Sequence, residues 1–287
     1  MKVGVHVSIA KSISLSIKRA KKLGCNTFQI FTRNPRRWDY KELLPEEIDL
    51  FKQELANSGI KPVMAHMPYL PNLASPKDTL WDRSMQRLKI ELQRCNKLGI
   101  DYLITHLGSP KSKGKEFGIN RVTLALSNVL EKYQGKTTLL LENSAGKQDK
   151  LGARLEDFEE VFSKTSFENK LGFCFDTCHA FASGYDFRTR EKAEKIIKLI
   201  DKKISLKKCY VVHCNDSKYP LGEGRDRHEH IGLGLIGDIG FSNLFRSEKL
   251  RKLPLICETP VDERRGDSEN VLHLKKLLTG IINPASF

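Results

Sequence analysis

Short apolar runs alternate with longer amphipathic stretches along the whole chain. Each run is five residues long and lacks the regular polar alternation of a strand that faces water on one side. Runs of this length and composition are typical of strands buried on both faces of a parallel sheet. The pattern predicts eight strands: Val3–Val7, Thr27–Phe31, Pro62–His66, Tyr102–His106, Thr138–Glu142, Gly172–Asp176, Cys209–His213 and Pro254–Glu258.

The stretches between these runs have the spacing of amphipathic helices. In one of them Ile48, Phe51 and Leu55 recur three and four residues apart, which places them on one helix face. A glycine follows several of these stretches, as expected where a helix ends in a left-handed residue. The predicted helices are Lys11–Leu23, Pro45 to near Gly59, Thr79–Leu98 and Glu191–Lys208, and the lysines of the last are expected to face water.

The alternation of strands and helices predicts an α/β fold with a parallel sheet and right-handed crossovers. Eight such units in a chain of 287 residues favour a single (β/α)8 TIM barrel domain spanning residues 1–287. A doubly wound open sheet is the alternative. Polar residues at the strand ends favour the barrel, because the ends of all strands converge only when the strands close into a ring.

Residue types that bind metals end six of the predicted strands, His179 follows one strand end by three residues, and Asp226-Arg-His228 adds two more. Neutral imidazole and carboxylate are the groups that hold zinc, manganese or iron in hydrolytic sites. One such residue at a strand end is more often structural, but the repetition indicates a shared site. Nine of them are too many for a single tetrahedral ion and suit two or three ions, an arrangement used for phosphoryl transfer. The candidates are His66, His106, Glu142, Asp176, His179, His213, Asp226, His228 and Glu258.

The charge balance narrows the class of substrate. The chain has 49 Lys and Arg against 35 Asp and Glu, a formal net charge of +14. Such an excess attracts polyanions, although a merely solvated surface has the same composition. Taken together with a phosphoryl-transfer site, it indicates nucleic acid.

The cysteines and the N-terminal residues indicate the cellular compartment of the protein. The seven cysteines are an odd number and form no Cys-x-x-Cys pair, so neither a disulfide framework nor a zinc finger is predicted. Most lie in apolar runs, as buried free cysteines do in a reducing compartment. The first eight residues resemble a strand and not a signal peptide, and no apolar run is long enough to span a bilayer. These features predict a cytoplasmic, intracellular protein with no membrane role.

Several longer motifs together identify a family. From about its first strand to its last, the chain resembles endonuclease IV, the metal-dependent apurinic/apyrimidinic endonuclease of base excision repair. The segment that begins at Asp176 is the most specific part of the match. The motifs are Phe31-Thr-Arg-Asn-Pro-Arg-Arg-Trp38, His66-Met-Pro-Tyr-Leu70, Leu141-Glu-Asn-Ser-Ala-Gly146, Asp176-Thr-Cys-His-Ala-Phe-Ala-Ser-Gly-Tyr-Asp186, Asp226-Arg-His228 and Glu258-Thr-Pro260.

The resemblance implies a (β/α)8 barrel with three zinc ions, with manganese or iron as alternatives at some sites. His66, His106 and Glu142 would hold the first ion. Glu142 would bridge to a second ion, which Asp176, His213 and Glu258 complete, and the third ion would take His179, Asp226 and His228. Glu142 and Glu258 are therefore expected to be catalytic.

The activity implied is hydrolysis of the phosphodiester 5′ to an abasic site in double-stranded DNA, which leaves a 3′-hydroxyl and a 5′-deoxyribose phosphate. Trimming of blocked 3′ ends and a monomeric state are implied as well. Arg36, Tyr69 and Leu70 match positions that contact DNA and fill the gap left by a flipped abasic nucleotide. The chain departs from the family pattern at Lys11-Ser12, where a Gly-Gly pair is usual, and at Glu223, so the DNA contacts of these loops could differ.

Two other functions are compatible with these residues. A sugar isomerase or epimerase on a similar barrel also binds divalent metal through carboxylates and histidines, but it needs neither the third ligand set nor a basic surface. A non-enzymatic DNA-binding protein on an old catalytic scaffold has no need to retain all nine ligands. Incision of an abasic duplex, tested against turnover of aldose sugars, distinguishes these functions.

Overall fold

Eight parallel strands form the centre of the molecule. The structure is a computed structural model that describes residues 1–147, 150–167 and 169–282. All eight predicted strands are present, and three of them have the predicted bounds. The barrel strands are β1 (Lys2–Val5), β2 (Phe28–Ile30), β3 (Val63–His66), β4 (Tyr102–His106), β5 (Thr138–Glu142), β6 (Leu171–Asp176), β7 (Cys209–His213) and β10 (Pro254–Cys257).

These strands form a nearly closed ring in the order β1-β10-β7-β6-β5-β4-β3-β2. The ends of this series meet at a parallel bridge between His6 and Gln29. Gly4 lies on the same seam, where an added Cβ would stand 1.8 Å from the carbonyl oxygen of Thr27, so the close approach of the two strands requires glycine. The predicted TIM barrel is therefore confirmed, and the open doubly wound sheet is excluded.

Helices surround the ring and bury their apolar faces against the outside of the strands. Phe51, predicted on the inner face of its helix, is fully buried. No helix among the described residues combines the length and the apolar content that a membrane crossing requires. The helices are α1 (Leu15–Lys22), α2 (Pro45–Ser58), α3 (Asp78–Leu98), α4 (Lys115–Leu130), α5 (Leu155–Ser163), α6 (Thr177–Ala182), α7 (Arg190–Lys203), α8 (Gly237–Phe245), α9 (Glu248–Arg251) and α10 (Asp267–Ile282).

The helix predicted over Glu191–Lys208 is too long at its C-terminal end. The structure ends α7 at Lys203, and Ser205 adopts a left-handed backbone with φ of 73°. The Asp201 carboxylate accepts a hydrogen bond from the backbone N–H of Leu206 at 2.8 Å, which stabilises a short 3-10 turn in place of a further helical turn. This turn lets the chain reverse direction and enter β7 at Cys209.

The interior of the ring is closed by an apolar layer. Each of its members stands two residues before a candidate metal ligand at the end of the same strand or, for Glu258, one residue beyond it. Side chains alternate between the faces of a strand, so the ligand two residues later also points into the ring, at its C-terminal end. The layer is therefore a floor beneath the candidate site. Its members are Met64, Ile104, Leu140, Cys174, Val211 and Ile256.

Candidate metal centre

The nine predicted ligands converge above this floor. Within each of three groups, the potential ligand atoms lie within 4.8 Å of one another. Asp226 joins the third group, because its Oδ1 lies 3.2 Å from His179 Nε2 and 3.3 Å from His228 Nε2. The groups are His66, His106 and Glu142; Glu142, Asp176, His213 and Glu258; and Asp176, His179 and His228.

Glu142 lies at the centre and belongs to two of these groups. One carboxylate oxygen is 3.0 Å from His66 Nε2 and 3.4 Å from His106 Nε2. The other oxygen is 2.7 Å from His213 Nδ1. Burial opposes ionisation of this carboxyl, yet His106 and His213 hold its pKa well below the usual value. Glu142 is therefore a buried anion that lies between the first two groups.

Most of the histidines are held by one ring nitrogen and present the other to the carboxylates. A backbone carbonyl at Nδ1 makes that nitrogen the N–H donor and leaves the lone pair on Nε2, the form that binds metals, whereas a hydroxyl can donate or accept and does not select the tautomer. The Nδ1 partners are the Met67 carbonyl for His66 (2.8 Å), the Ser144 hydroxyl for His106 (3.2 Å), the Asn143 carbonyl for His179 (2.9 Å) and the Glu258 carbonyl for His228 (2.9 Å).

Two of the free nitrogens are compatible with a bound cation. Nε2 of His179 and Nε2 of His228 are buried, and neither has a hydrogen-bond partner among the residues that the structure describes. A buried polar atom left in this state is costly unless another group satisfies it. Both atoms face Asp226, so a cation between them would be bound by two imidazoles and a carboxylate.

The electrostatics also favour cations. Burial raises the pKa of Asp176. Asp226 is 55% exposed, and although partial desolvation opposes its ionisation, His179 and His228 lower its pKa. Burial lowers the pKa of His179, but Asp176 and Asp226 outweigh that effect and raise it to about 10. The carboxylates thus draw positive charge into a cavity of about 430 Å³, and protons and metal ions would compete for it.

A thiol lies beneath the second ligand group. Cys174 is in the floor of the cavity, and its sulfur, Glu142 and His213 form a further group whose ligand atoms lie within 4.8 Å of one another. Burial raises the pKa of the Cys174 thiol to about 12, so without a bound metal the thiol is protonated at neutral pH.

The spacing of Asp176 and His179 follows from a helix cap. Asp176 ends β6 and is the N-cap of α6, where its Oδ1 accepts a hydrogen bond from the backbone N–H of His179 at 2.6 Å. An N-cap residue commonly accepts from the third residue of the helix. The same carboxyl thereby starts the helix and turns the imidazole of His179 toward the site.

Three amide side chains around the site were not singled out in the sequence. Asn143 exchanges two hydrogen bonds with the backbone of Asp176, at 2.7 and 2.9 Å. Asn215 donates to Asp176 Oδ2 and accepts from the backbone N–H of Glu258, each at 2.7 Å. Gln29 contacts Glu258 and His213. Asn143 follows the strand-end residue Glu142 by one position, and Asn215 follows His213 by two. Their places in the sequence could therefore have identified them as residues near the site.

The loop that bears Asp226 and His228 is fastened at its base by Asp216. The antiparallel pair β8 (Asp216–Ser217) and β9 (His228–Glu229) forms its stem. Gly234 passes so close that an added Cβ would stand 2.4 Å from Asp216 Oδ1. This buried carboxylate therefore ties the segment 232–237, which follows β9, to the start of β8. Its oxygens accept backbone N–H bonds from Ser217, Gly232, Gly234, Ile236 and Gly237.

The three residues expected to contact DNA lie on the rim and not in the cluster. Tyr69 and Leu70 follow β3, and their side chains are 65% and 37% exposed. Arg36 is exposed on the loop after β2, which is joined to the other loop by the backbone N–H of Tyr69 donating to the Pro35 carbonyl at 3.2 Å. The Tyr69 ring also packs edge-on against Phe31, at 5.3 Å between centroids. The two loops thus form one projecting surface beside the cavity.

Comparison with known proteins agrees with this geometry. The family model described as Xylose isomerase-like TIM barrel matches residues 17–277. A probable endonuclease 4 from Methanoculleus marisnigri is 48% identical over 276 residues, which cover 96% of this chain and 98% of that protein. The crystal structure of endonuclease IV from Thermus thermophilus matches with a TM-score of 0.84 and 32% identity, over 97% of this chain and 99% of that one.

A second type of structure shares only the fold. The crystal structure of a D-tagatose 3-epimerase-like protein matches with a TM-score of 0.75 but 20% identity, over all of both chains. Identity at that level establishes a common barrel and leaves the chemistry open. The relatives at high identity and full coverage decide the family: the chain belongs to the endonuclease IV family, within the xylose isomerase-like TIM barrels.

Proposed function

We propose that this protein is a DNA repair endonuclease that hydrolyses the phosphodiester 5′ to an abasic site in duplex DNA. The products are a 3′-hydroxyl and a 5′-deoxyribose phosphate, and the same site trims blocked 3′ ends. The protein acts as a monomer with three bound ions, for which zinc is the proposed metal and manganese or iron the alternatives. The observation that carries this proposal is the convergence of nine metal-binding side chains, with two buried imidazole nitrogens lacking any partner among the described residues.

Each residue group has a defined part in this proposal. His66, His106 and Glu142 hold one ion; Glu142, Asp176, His213 and Glu258 hold the next; and His179, Asp226 and His228 hold the last. Bound divalent ions supply an activated water and offset the negative charge of the phosphodiester. Glu142 and Glu258 are the proposed catalytic residues, because Glu142 spans two groups and Glu258 lines the open side of the cavity.

The loops after β2 and β3 would recognise the abasic site. Tyr69 and Leu70 are large apolar side chains that remain exposed beside a charged cavity, a placement typical of a binding surface. Inserted into a duplex with Arg36, they would replace the stacking lost when a nucleotide leaves the helix. An abasic nucleotide has no base to unpair or unstack, so it is the cheapest one to extrude.

A sugar isomerase or epimerase remains the second candidate because of the shared barrel. Two features favour the endonuclease. The third ligand group, built on α6 and the β8–β9 loop, has no use in sugar isomerisation. The net charge of +14 likewise suits a polyanionic substrate and not a neutral sugar.

The test is incision of a duplex that contains one abasic site, combined with elemental analysis of the purified protein. We expect metal-dependent incision on the 5′ side of the abasic residue and no turnover of aldose sugars. The variant Glu142→Gln keeps the shape of the side chain but removes its charge, so incision should fall by more than about 100-fold. Glu116→Gln, at an exposed position on α4, is the matched control and should retain full activity.

Two outcomes would contradict the proposal. Sugar turnover without DNA incision would favour the isomerase. Undiminished incision by Glu142→Gln would show that the bridging carboxylate is not required. Retained binding of abasic DNA by that variant, with cleavage lost, would separate an enzyme from a protein that only binds DNA.

A further inference from the structure

Gln29 occupies an unusual position for a polar side chain. It lies in the middle of β2, is fully buried, and forms the bridge to His6 that closes the ring. Its neighbours Phe28 and Ile30 belong to the core between strands and helices. Since side chains alternate along a strand, Gln29 points into the ring, toward the candidate metal centre.

The amide of Gln29 contacts three residues of the site at once. Its Oε1 lies 2.8 Å from His213 Nε2. Its Nε2 lies 2.6 Å from Glu258 Oε1 and 3.0 Å from His6 Nδ1. These contacts determine which way the amide faces, because the flipped amide would bring its oxygen against the Glu258 oxygen. The Gln29 oxygen therefore accepts a hydrogen bond from His213, and the Gln29 nitrogen donates to Glu258 and His6.

This arrangement selects the ligand atom of His213. With Nε2–H donated to Gln29, the nitrogen that remains for a metal is Nδ1. That atom lies 2.7 Å from Glu142 Oε1, 3.4 Å from Glu258 Oε2 and 3.9 Å from Asp176 Oδ2, in the middle of the second ligand group. The same amide holds Glu258 by its other oxygen. One side chain thus orients two ligands that arrive on different strands.

The Nε2 atom of His213 needs a side chain as its hydrogen-bond partner, because no backbone carbonyl in the described part of the chain can reach it. His66, His179 and His228 each find a backbone carbonyl for the ring nitrogen that does not face the carboxylates. The outer nitrogen of His213 instead faces the inner surface of β2. The carbonyls of a strand lie in the plane of the sheet and cannot reach across the ring.

We propose that Gln29 is a positioning residue for the second ion, which Glu142, Asp176, His213 and Glu258 would hold. It fixes His213 and Glu258 relative to one another across the seam where the ring closes. This inference rests on the proposed function, because it assumes that the site binds metal. Groups that orient metal ligands typically change affinity by about 10- to 100-fold when removed.

The experiment measures metal binding directly. Protein stripped with a chelator is titrated with Zn²⁺ against a chromophoric competitor, and bound zinc per chain is counted by elemental analysis. Gln29→Met keeps the volume without either hydrogen bond, and Gln29→Asn is too short to reach both partners. For both variants we expect one ion to bind about 10- to 100-fold more weakly while the other ions bind as in the wild type. Thr27→Val is the matched control, since Thr27 is buried beside the same strand but donates to the Pro62 carbonyl.

The outcomes separate the two proposals. Thermal unfolding of the stripped proteins reports on folding alone, and we expect Gln29→Met to unfold close to the midpoint of the control. Unchanged affinity for every ion, or an equal loss at all of them, would overturn the role of Gln29. A wild-type protein that binds no ion would instead overturn the proposed function, and this inference with it.

Discussion

At the level of individual residues, the chemistry of the site depends on which ring nitrogen of each histidine remains available to bind a cation. The sequence identified His66, His106 and His213 because each ends an apolar run, and His179 and His228 because each stands close to a carboxylate of the set. It could not identify the free nitrogen, because the partner that decides it is mostly a backbone carbonyl brought near by the fold. The carbonyl of Met67 for His66 and that of Glu258 for His228 are examples.

Residues that support the ligands were harder to recognise than the ligands. Gln29 stands inside a predicted strand and is not a metal-binding type, so nothing in its local pattern marked it. Lys11 was noted as a departure from a usual glycine. The structure shows that its backbone nevertheless adopts the left-handed conformation that favours glycine, with φ of 74°. Lys11 therefore lies in a loop before α1 begins at Leu15, and not in the helix predicted from Lys11.

Tyr69 gives a prediction at this scale. Its side chain is 65% exposed, so replacing it should cost the fold little, whereas a stacked aromatic ring contributes about 1–3 kcal/mol to nucleic-acid binding. We expect Tyr69→Ala to weaken binding of a duplex with an uncleavable abasic analogue by about 10-fold or more. The measurement is a binding titration by fluorescence anisotropy, accompanied by thermal unfolding.

Leu124 provides the control for this change. It is a similarly exposed apolar residue, 51% exposed, on the outer helix α4. Leu124→Ala should change neither the affinity nor the unfolding temperature. Equal binding by Tyr69→Ala and Leu124→Ala would mean that the loop after β3 does not enter the duplex.

Among the elements, most bounds of the strands and of α2 and α3 were predicted to within about two residues, whereas the start of α1 and the end of α7 were not. A strand buried on both faces consists of consecutive apolar residues, so its limits are visible, and β4, β5 and β7 have the predicted bounds. Helix ends depend on local hydrogen bonds. The hydrogen bond from the backbone N–H of Leu206 to Asp201, which stabilises the 3-10 turn after α7, leaves no mark in the apolar pattern. The predicted helix therefore extended past Lys203.

The link between α6 and α7 contains Asp186, the last residue of the most specific motif. Its carboxylate accepts hydrogen bonds from the backbone and the guanidinium of Arg188, at 2.9 to 3.1 Å, and from Lys192 Nζ at 2.8 Å. These bonds, above all those from Arg188, hold the pKa of Asp186 well below its usual value. Asp186 is thus a structural clamp that positions α7, at a distance from the ligand groups.

Asp186 predicts a defined pH dependence. Because its pKa is lowered on folding, its contribution to stability is present above the unfolded value of about 3.9 and is lost as the pH falls below it. Asp186→Asn should lower the free energy of unfolding by about 1–2 kcal/mol at pH 7. The difference from the wild type should shrink as the pH falls below about 4. Urea unfolding of both proteins across this range is the measurement.

Comparing Asp186→Asn with the wild type cancels the contribution of the other acids to the free energy of unfolding. The other acids are the same in the wild type and the variant, so their titration affects both proteins alike. Asp82→Asn, at an exposed position on α3, should show no difference from the wild type at any pH. A deficit in Asp186→Asn that stays constant down to about pH 3 would show that the charge of Asp186 is not what stabilises the link.

For the whole molecule, the ring brings together residues that are far apart in sequence. His66 and Glu258 are both strand-end residues near opposite ends of the chain, and they face one cavity because the sheet closes on itself. This convergence was predictable, since one kind of residue recurred at one position of most units. The seam at His6 and Gln29 was not, because it depends on the close approach that Gly4 permits.

The distribution of positive charge predicts the response to salt. In a barrel of parallel strands, every loop that follows a strand opens on the face that carries the site. Such loops carry exposed cations that can pair with DNA phosphates, and each pair formed releases counterions. If about five phosphates are neutralised, the logarithm of the binding constant should fall against the logarithm of salt concentration with a slope of about −4.5. The cations are Arg36, Arg37, Lys111, Lys113, Lys147, Lys218, Arg225 and Arg227.

A pair of double variants tests whether this face, and not the net charge, produces the slope. Lys111→Gln with Lys113→Gln removes two cations from the loop after β4. Lys195→Gln with Lys198→Gln removes two exposed cations from the outer helix α7 and lowers the net charge equally. Only the first pair should make the slope shallower, because counterions are released where phosphates are contacted. An equal change in both would mean that DNA approaches the protein without using the mouth of the barrel.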